Sequence, residues 1–197
     1  MTTAARRRGT SKGDLREQAL LEAAKTLLGH KRLSAVSTDE LAAAAGLSRS
    51  SFYFYFDSKA AVLSALLEDI TVQLREENGP WLEAAGPSPE LLRSATAHTV
   101  ALWSSASGLL QQAFSADDGQ LSTWRDEVVE RGIARTAAKL DRDRAAGLAP
   151  AGPPSSLGLA RMLHGAKTEL LLRPGGLSQE VLVEEIVSAT LRLAYGS

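Results

Sequence analysis

The 197-residue sequence predicts an all-α protein of about nine helices, with a helix-turn-helix near its start. Apolar residues recur at helical spacing along most of the chain. Ser, Asp, Gly and Pro stand where these segments begin and end, as helix caps and stops do. The one run that suits a β-strand is Phe52 to Phe56, but no second strand is available to satisfy its backbone groups. That run is therefore also predicted to be helical.

Two helices are predicted before the aromatic run. The first begins at Asp14, in what resembles a capping box, and fades near Gly29. The second begins at Ser37, which has Glu40 three residues later in the usual capping-box spacing. Gly46 suits the left-handed residue that ends such a helix. The pattern predicts a tight turn directly after it.

The aromatic run is predicted to be the second helix of the helix-turn-helix. Ser48 can cap its start. At about 100° per residue, Phe52 and Phe56 share one face and should anchor the helix to its neighbours. Tyr53 and Tyr55 flank that face, and each offers a hydroxyl group.

Six further helices complete the prediction. Asp57 or Ser58 can cap a long amphipathic helix, which is predicted to end before Gly79 and Pro80. Ser88 is predicted to cap the next helix, with a proline at its first position. These last five helices are predicted at about 89–107, 109–115, 118–146, 156–172 and 178–195.

The charge is nearly balanced overall but uneven along the chain. Residues 1–60 carry ten basic and six acidic side chains, a net +4, and the rest of the chain carries −5. This asymmetry suggests a polyanion-binding end, although it can also arise by chance. The absence of cysteine excludes disulfides, thiolate zinc sites and cysteine nucleophiles. No apolar run approaches the ~18 residues of a membrane helix, and no signal-peptide core follows the early arginines, so we expect a cytoplasmic protein.

The residues at the start of the aromatic helix suit a DNA groove. Arginine can bond bidentately to guanine, serine can bond any base, and a recognition helix meets base edges with its N-terminal residues. Taken singly, the serines could only cap the helix and Arg49 could only be a solvated charge, but the arrangement as a whole favours DNA binding. A phosphate would suit the start of the preceding helix. The predicted DNA contacts are Thr38, Ser48, Arg49, Ser50, Ser51, Tyr53, Tyr55 and Lys59.

The segment "STDELAAAAGLSRSSFYFYFDSKAAVL" resembles the signature region of the TetR family of transcriptional regulators, and most of all its ethionamide-resistance regulator branch. The similarity runs from about Asp14 to Leu67, and the family often has His at the position of Tyr55. It implies an all-α homodimer with a DNA-binding N-terminal domain and a C-terminal domain for ligand binding and dimerisation. The implied domains are a flexible basic arm at 1–13, a helix-turn-helix domain at 14–57, and a ligand-binding and dimerisation domain at 58–197.

The basic arm has two interpretations. Its charge, from Arg6, Arg7, Arg8 and Lys12, could reach phosphates or a minor groove. It could equally be a disordered tail in the absence of DNA.

The larger C-terminal part is predicted to be a sensor rather than an enzyme. Its two histidines, His98 and His164, are isolated, as is His30. No Glu-x-x-His pair, Gly-x-Ser-x-Gly motif or phosphate-binding glycine loop is present. We therefore predict no catalytic residues, no metal and no cofactor.

A ligand cavity is the functional hypothesis for this part. Bulky apolar side chains could line it, with a few polar groups from the eighth helix. Phe114 and Trp124 could equally be ordinary core, and His164 a satisfied core or interface histidine. Gly132 and Gly165 stand inside helical segments, which suggests close helix crossing or open volume. The candidate lining residues are Trp103, Leu110, Phe114, Trp124, His164 and Thr168.

The last two helices carry more apolar residues than an exposed pair should. Two such helices from each protomer would form a four-helix dimer interface, although burial within one subunit is the alternative. The candidate interface residues are Leu159, Leu163, Ala166, Leu170, Leu182, Ile186, Thr190 and Leu193.

Together these features predict a ligand-responsive DNA-binding repressor. It would act as a homodimer on a (pseudo)palindromic double-stranded DNA operator and be released by a small, mostly apolar effector. No membrane partner is expected. The alternatives are a dimeric DNA-binding regulator without a natural effector and an all-α enzyme.

Overall fold

The computed structural model describes residues 12–115 and 119–196, and the chain divides into two compact units between Glu68 and Asp69. These ranges contain nine α-helices, one 3₁₀ turn and no strand, so the predicted all-α fold is confirmed. No helix within them is long and apolar enough to cross a membrane. The helices are α1 (Lys12–His30), α2 (Thr38–Ala44), α3 (Arg49–Tyr55), α4 (Lys59–Glu83), α5 (Pro89–Ser105), α6 (Ser107–Ser115), α7 (Gly119–Ala145), α8 (Ser156–Leu172) and α9 (Gln179–Tyr195), with the 3₁₀ turn at Leu33–Ala35.

The helix-turn-helix forms as its caps predict. The Ser37 hydroxyl accepts a hydrogen bond of 3.1 Å from the backbone of α2. At the other end of α2, Gly46 adopts φ +66° and donates to the carbonyl of Ala43 at 3.0 Å. Leu47 donates to the carbonyl of Ala42 at 2.8 Å. This pair of bonds is a Schellman motif, which explains why a glycine stands at the turn.

The aromatic run is a helix, as predicted. Ser48 caps α3 by accepting a hydrogen bond of 3.1 Å from the backbone of Ser51. Phe52 and Phe56 are buried, whereas Phe54 is 82% exposed. The face that holds α3 to its unit therefore carries a phenylalanine on each of two successive turns, as helical periodicity requires.

The predicted start of the first helix is wrong in detail, and the structure decides between the two cap candidates of α4. Helix α1 begins at Lys12, so Asp14 lies inside the first turn and not at the cap, where its charge still suits the positive end of the helix dipole. The rest of the predicted arm at 1–13 lies outside the described residues. At the start of α4 it is Ser58 that accepts a hydrogen bond, of 3.1 Å from the backbone of Ala61.

Helix α4 does not end before Gly79, as the sequence predicted, but continues through Pro80 to Glu83. Proline lacks the N–H that a helix interior uses, which normally favours a stop. Here Trp81 and Leu82 are buried in the core of the second unit, and the Trp81 indole donates to the carbonyl of Pro87 at 3.0 Å. Burial of these side chains offsets the lost backbone hydrogen bond.

The start of α5 differs from the prediction at one residue. Pro89 occupies the first turn, as expected. Ser88, however, has a left-handed backbone with φ 40°, and its hydroxyl donates to the carbonyl of Ala85 at 3.0 Å rather than capping the helix. The serine side chain thus closes the preceding turn.

The second unit is built on two main helix pairs, α5 with α9 and α7 with α8. The largest cluster of buried apolar residues joins the end of α4 to α5 and α9. A second cluster joins α7, α8 and α9, and a third lies between α7 and α8. These clusters contain, among others, Trp81, Leu92 and Val183 in the first, Leu140, Leu159 and Ala194 in the second, and Ile133 and Ala160 in the third.

A buried polar cluster ties the chain after α4 to α7 and α9. The ammonium of Lys139 donates to the carbonyls of Ala84 and Gly86, both at 2.8 Å, and to the Asp143 carboxylate at 3.0 Å. Asp143 also accepts from the Tyr195 hydroxyl at 2.7 Å and from the Gly86 backbone at 3.0 Å. Burial alone would raise the pKa of Asp143, but these hydrogen bonds hold it below its ordinary value.

Candidate nucleic-acid interface and ligand cavity

The N-terminal end of α3 presents a polar, exposed surface. Ser48, Arg49 and Ser50 are exposed and Ser51 is half-buried. The Ser48 hydroxyl lies 2.9 Å from the hydroxyls of both Ser50 and Ser51. The Ser48 hydroxyl can therefore hydrogen-bond to those of Ser50 and Ser51, while Ser48 and Ser50 remain exposed to solvent.

Arg49 is held by neighbours that leave its charge accessible. Its guanidinium pairs with the Asp39 carboxylate at 2.5 Å, and both side chains are 60% exposed. It also lies 5.7 Å from the centre of the Tyr53 ring. An exposed ion pair of this kind contributes little to stability, so it can open when a better partner for the guanidinium arrives.

The aromatic side of α3 includes a residue that was not among the predicted DNA contacts. Tyr53 is 45% exposed, Tyr55 is half-buried, and the Phe54 side chain is largely exposed to solvent. The Phe54 and Tyr55 rings meet edge to face at 5.1 Å. Thr38 lies half-buried at the first position of α2. Phe54 and the partly exposed Tyr53 and Tyr55 thus form a small aromatic surface on α3.

Lys59 has an intramolecular role that the sequence did not predict. Its ammonium donates to the carbonyl of Leu33 at 2.9 Å and to that of Val36 at 3.0 Å. These bonds hold the 3₁₀ turn to the start of α4. A DNA-backbone contact by Lys59 remains a prediction, and the loss of DNA binding in Lys59→Ala would not prove it, because the substitution also removes these two bonds.

The second unit contains a cavity of about 230 Å³ between α4 and the five helices that follow. Its wall includes all six predicted lining residues: Trp103, Leu110, Phe114, Trp124, His164 and Thr168. The rings of Trp103 and Phe114 lie 5.0 Å apart, and the Trp124 indole donates to the Thr71 hydroxyl at 3.0 Å. The aromatic part of the wall is thus fixed by ring packing and a hydrogen bond.

The same cavity corrects part of the predicted dimer interface. Leu163, Ile186 and Thr190 line the cavity, and Leu159 and Leu182 are buried in the core clusters of the protomer. Because these five side chains pack within one subunit, they cannot form an exposed interface. The three other candidates differ: Ala166 and Leu193 are exposed, and Leu170 is half-buried.

His164 lies at a close contact between α7 and α8. Its Nε2 lies 3.1 Å from the Thr136 hydroxyl. A Cβ atom added at Gly132 would lie 2.7 Å from the His164 ring, so this glycine permits the close helix crossing that its position suggested. Burial, followed by the charge of Lys167, lowers the pKa of His164 to about 3, against a weaker opposing contact with the Gly132 backbone. The imidazole is therefore neutral at pH 7.

The basic side of the cavity was missed by the sequence reasoning. Arg75 from α4, Arg131 and Arg135 from α7, and Lys167 from α8 contribute to the wall. Burial lowers the pKa of Lys167 to about 8. The signal was present in the spacing, because Arg131 with Arg135 and His164 with Lys167 fall on single helix faces. Among the described residues, no group of three side chains could hold a metal ion.

Comparison with known proteins identifies the family. Residues 20–66 match the family described as bacterial regulatory proteins, tetR family. The HTH-type transcriptional regulator EthR of Mycobacterium tuberculosis is 36% identical over 158 residues, covering 74% of this chain and 69% of EthR. The chain belongs to the TetR family. EthR of Mycolicibacterium smegmatis is 30% identical over 197 residues, covering 96% of this chain and 88% of that protein.

The fold is shared with a solved repressor. SmeT, the repressor of the Stenotrophomonas maltophilia multidrug efflux pump SmeDEF, superposes with a TM-score of 0.74 at 18% identity, covering 90% of this chain and 89% of SmeT. SmeT in its complex with triclosan matches equally well, with a TM-score of 0.74.

Membership of the TetR family fixes the broad function. The chain is a DNA-binding transcriptional regulator of EthR-like sequence, as its motifs predicted, and it is not an enzyme. Its DNA-binding helix-turn-helix lies within the matched residues.

Proposed function

We propose that this regulator is a homodimeric repressor that binds a (pseudo)palindromic operator and is released by a small effector. The cavity in the second unit carries the proposal, because its size and largely apolar wall suit a small molecule. The effector must bind the conformer with low DNA affinity more tightly than the other, or it could not shift the population. SmeT, a repressor of similar fold that has also been solved in complex with triclosan, supports a small-molecule effector.

The decisive experiment is selection of bound DNA from a random pool, followed by release assays with small molecules. We expect an enriched sequence with two inverted half-sites, since a two-fold symmetric dimer reads a palindrome. A single unrepeated half-site would contradict the dimeric mode. Strong operator binding that no small molecule relieves would instead support a regulator without a natural effector.

In the proposed complex, Arg49 reads a base in the major groove and the surrounding hydroxyls position the helix. We expect Arg49→Ala to weaken binding to the selected operator by about 1–3 kcal/mol and to relax sequence preference at one position. Fluorescence anisotropy at fixed salt measures both effects, because affinity for DNA varies strongly with salt.

Asp39→Ala is the matched variant for this test. It removes the other half of the same ion pair, together with a negative charge near the DNA, so affinity should stay the same or rise. If both substitutions weaken binding equally, the ion pair matters for the fold of the surface, and Arg49 does not read a base.

For the dimer, we propose the outward faces of α8 and α9. Met162 is 55% exposed and Leu193 is 52% exposed, and Ala166 and Val181 are also exposed. Apolar side chains that remain exposed on two adjacent helices suit a four-helix interface with a second copy of the chain. This surface replaces the buried residues of the original prediction.

Sedimentation equilibrium tests this surface. Leu193→Asp should shift the protein towards the monomer and abolish binding to a two-half-site operator. Leu91→Asp is the control, because Leu91 is an exposed leucine on α5, outside the proposed interface. A dimer that survives Leu193→Asp and dissociates in the control would refute the assignment.

A further inference from the structure

The charged side chains in the cavity wall are all basic. Four of the described lining residues are basic side chains, and none is acidic. The neutral polar groups of the wall include Asn78, Thr99 and Thr136. Each cation in the wall lowers the affinity of the cavity for apolar and for positively charged ligands. A wall with four cations therefore favours a ligand that carries a negative group.

The four cations are not equivalent. Arg131 is largely exposed and donates to the backbone and carboxylate of Glu127, so its charge already has a partner at the rim. Lys167 is half-buried and makes no ion pair or hydrogen bond with any residue described in the structure. It lies one turn along α8 from His164, on the same helix face. Its charge is thus available to a bound group, as is that of Arg135, which is also half-buried and has no ion pair or hydrogen bond among the described residues.

We infer that the effector is a small amphipathic carboxylate, with its head group at the Lys167 ammonium and its apolar tail against the Trp103 and Phe114 rings. The inference deepens the proposed function and rests on it. A cavity of about 230 Å³ is small for a ligand pocket, so it suits a short-chain carboxylate such as hexanoate.

The surrounding groups support this head-group site. Lys167 remains mostly protonated at pH 7 even though burial lowers its pKa to about 8. The neutral imidazole of His164 does not repel an anion, and the nearby Thr168 hydroxyl and Arg135 guanidinium can donate further hydrogen bonds. A charge-assisted hydrogen bond in a partly buried site is among the stronger polar contacts.

The test compares three probes of similar size by isothermal titration with the full chain at pH 7: hexanoate, hexanamide and hexylammonium. We expect hexanoate to bind at least about tenfold more tightly than hexanamide, and hexylammonium to bind most weakly. Equal affinities, tighter binding of hexylammonium, or no binding of any probe would overturn the inference. The proposed function would fail separately, by the absence of sequence-specific DNA binding in the selection experiment.

Variants of Lys167 assign the head-group contact. Lys167→Gln should abolish the preference for hexanoate while leaving the affinity for hexanamide unchanged, and Lys167→Arg should keep the preference. Arg173→Gln is the control, since Arg173 follows the same helix but is exposed and paired with Glu169. Thermal melting of each variant establishes that it is folded. A preference that persists in Lys167→Gln would overturn the role of Lys167.

Discussion

Two lysines of the second unit show how differently a protein can treat the same charged group. Lys139 is completely buried, and its ammonium uses all three of its donors on two carbonyls and a carboxylate. It also lies 5.1 Å from the centre of the Trp81 ring. Lys167 is half-buried beside a cavity and makes no such bonds with the described residues. The protein itself supplies all the hydrogen-bond partners of Lys139, whereas the ammonium of Lys167 is available to a bound ligand.

The comparison separates a structural role from a binding role. A buried charge is tolerated when it is paired and hydrogen-bonded, and removing one partner leaves the other unsatisfied. A partly buried charge without a partner costs free energy in the empty protein, and a ligand of opposite charge can recover that cost. The two lysines differ in burial as well, but it is the number of partners that separates the structural role from the binding role.

The largest expected effect is on stability. Lys139→Met should lower the free energy of unfolding by about 3–5 kcal/mol, because it leaves Asp143 without its counter-ion and two buried carbonyls without a donor. Lys167→Met removes a partly buried charge without a partner, so it should leave the free energy of unfolding unchanged or raise it. Chemical denaturation followed by circular dichroism measures both.

A milder variant keeps this comparison testable if Lys139→Met does not fold. Tyr195→Phe removes one hydrogen bond to Asp143 and should cost about 1 kcal/mol. If Lys139→Met and Lys167→Met had equal effects, the count of partners would not predict the role of a lysine in this fold.

The next effect concerns the wall that carries Lys167. Gly132→Ala places a methyl group 2.7 Å from the His164 ring and should destabilise the protein by about 1–3 kcal/mol, because α7 or the imidazole must move. Gly165→Ala is the matched substitution on α8: its added methyl meets no atom within 4 Å, so it should gain up to about 1 kcal/mol from helix propensity. Thermal melting of the two variants should therefore move in opposite directions.

The sequence predicted the fold well where local chemistry decides it. The caps at Ser37 and Ser48 and the left-handed Gly46 fix the helix-turn-helix through contacts only a few residues apart. The prediction failed at Pro80, because the helix continues there to bury Trp81 and Leu82, a tertiary effect that no local pattern reveals.

The candidate ligand site was also predictable only where a local sequence pattern determines which way a side chain faces. The six predicted lining residues all reach the cavity, because bulky side chains on amphipathic helices face inwards. Leu163, Ile186 and Thr190 were predicted at the dimer surface, yet they line the cavity, since an apolar stripe alone does not show which neighbour covers it. Whether Lys167 has a hydrogen-bond partner depends on which side chains of α7 and α8 pack next to it, and only the structure shows this.

The smallest expected effect is on the pH dependence of binding, and it sets the two lysines against each other most directly. Burial lowers the pKa of Lys167 to about 8, so its charge is present below that pH and is lost as the pH rises through it. The other cationic groups of the wall are the guanidinium groups of Arg75 on α4 and of Arg131 and Arg135 on α7. His164 stays neutral because its pKa is about 3. Hexanoate affinity should therefore be constant from pH 6 to 7 and fall by up to about tenfold by pH 9, since binding requires the protonated lysine. Titration calorimetry with hexanamide should show no such fall, and Lys167→Arg should remove the fall while keeping the binding. If the hexanoate affinity of the unmodified protein stays constant across this pH range, Lys167 does not bind the carboxylate and, like Lys139, has no role in ligand binding.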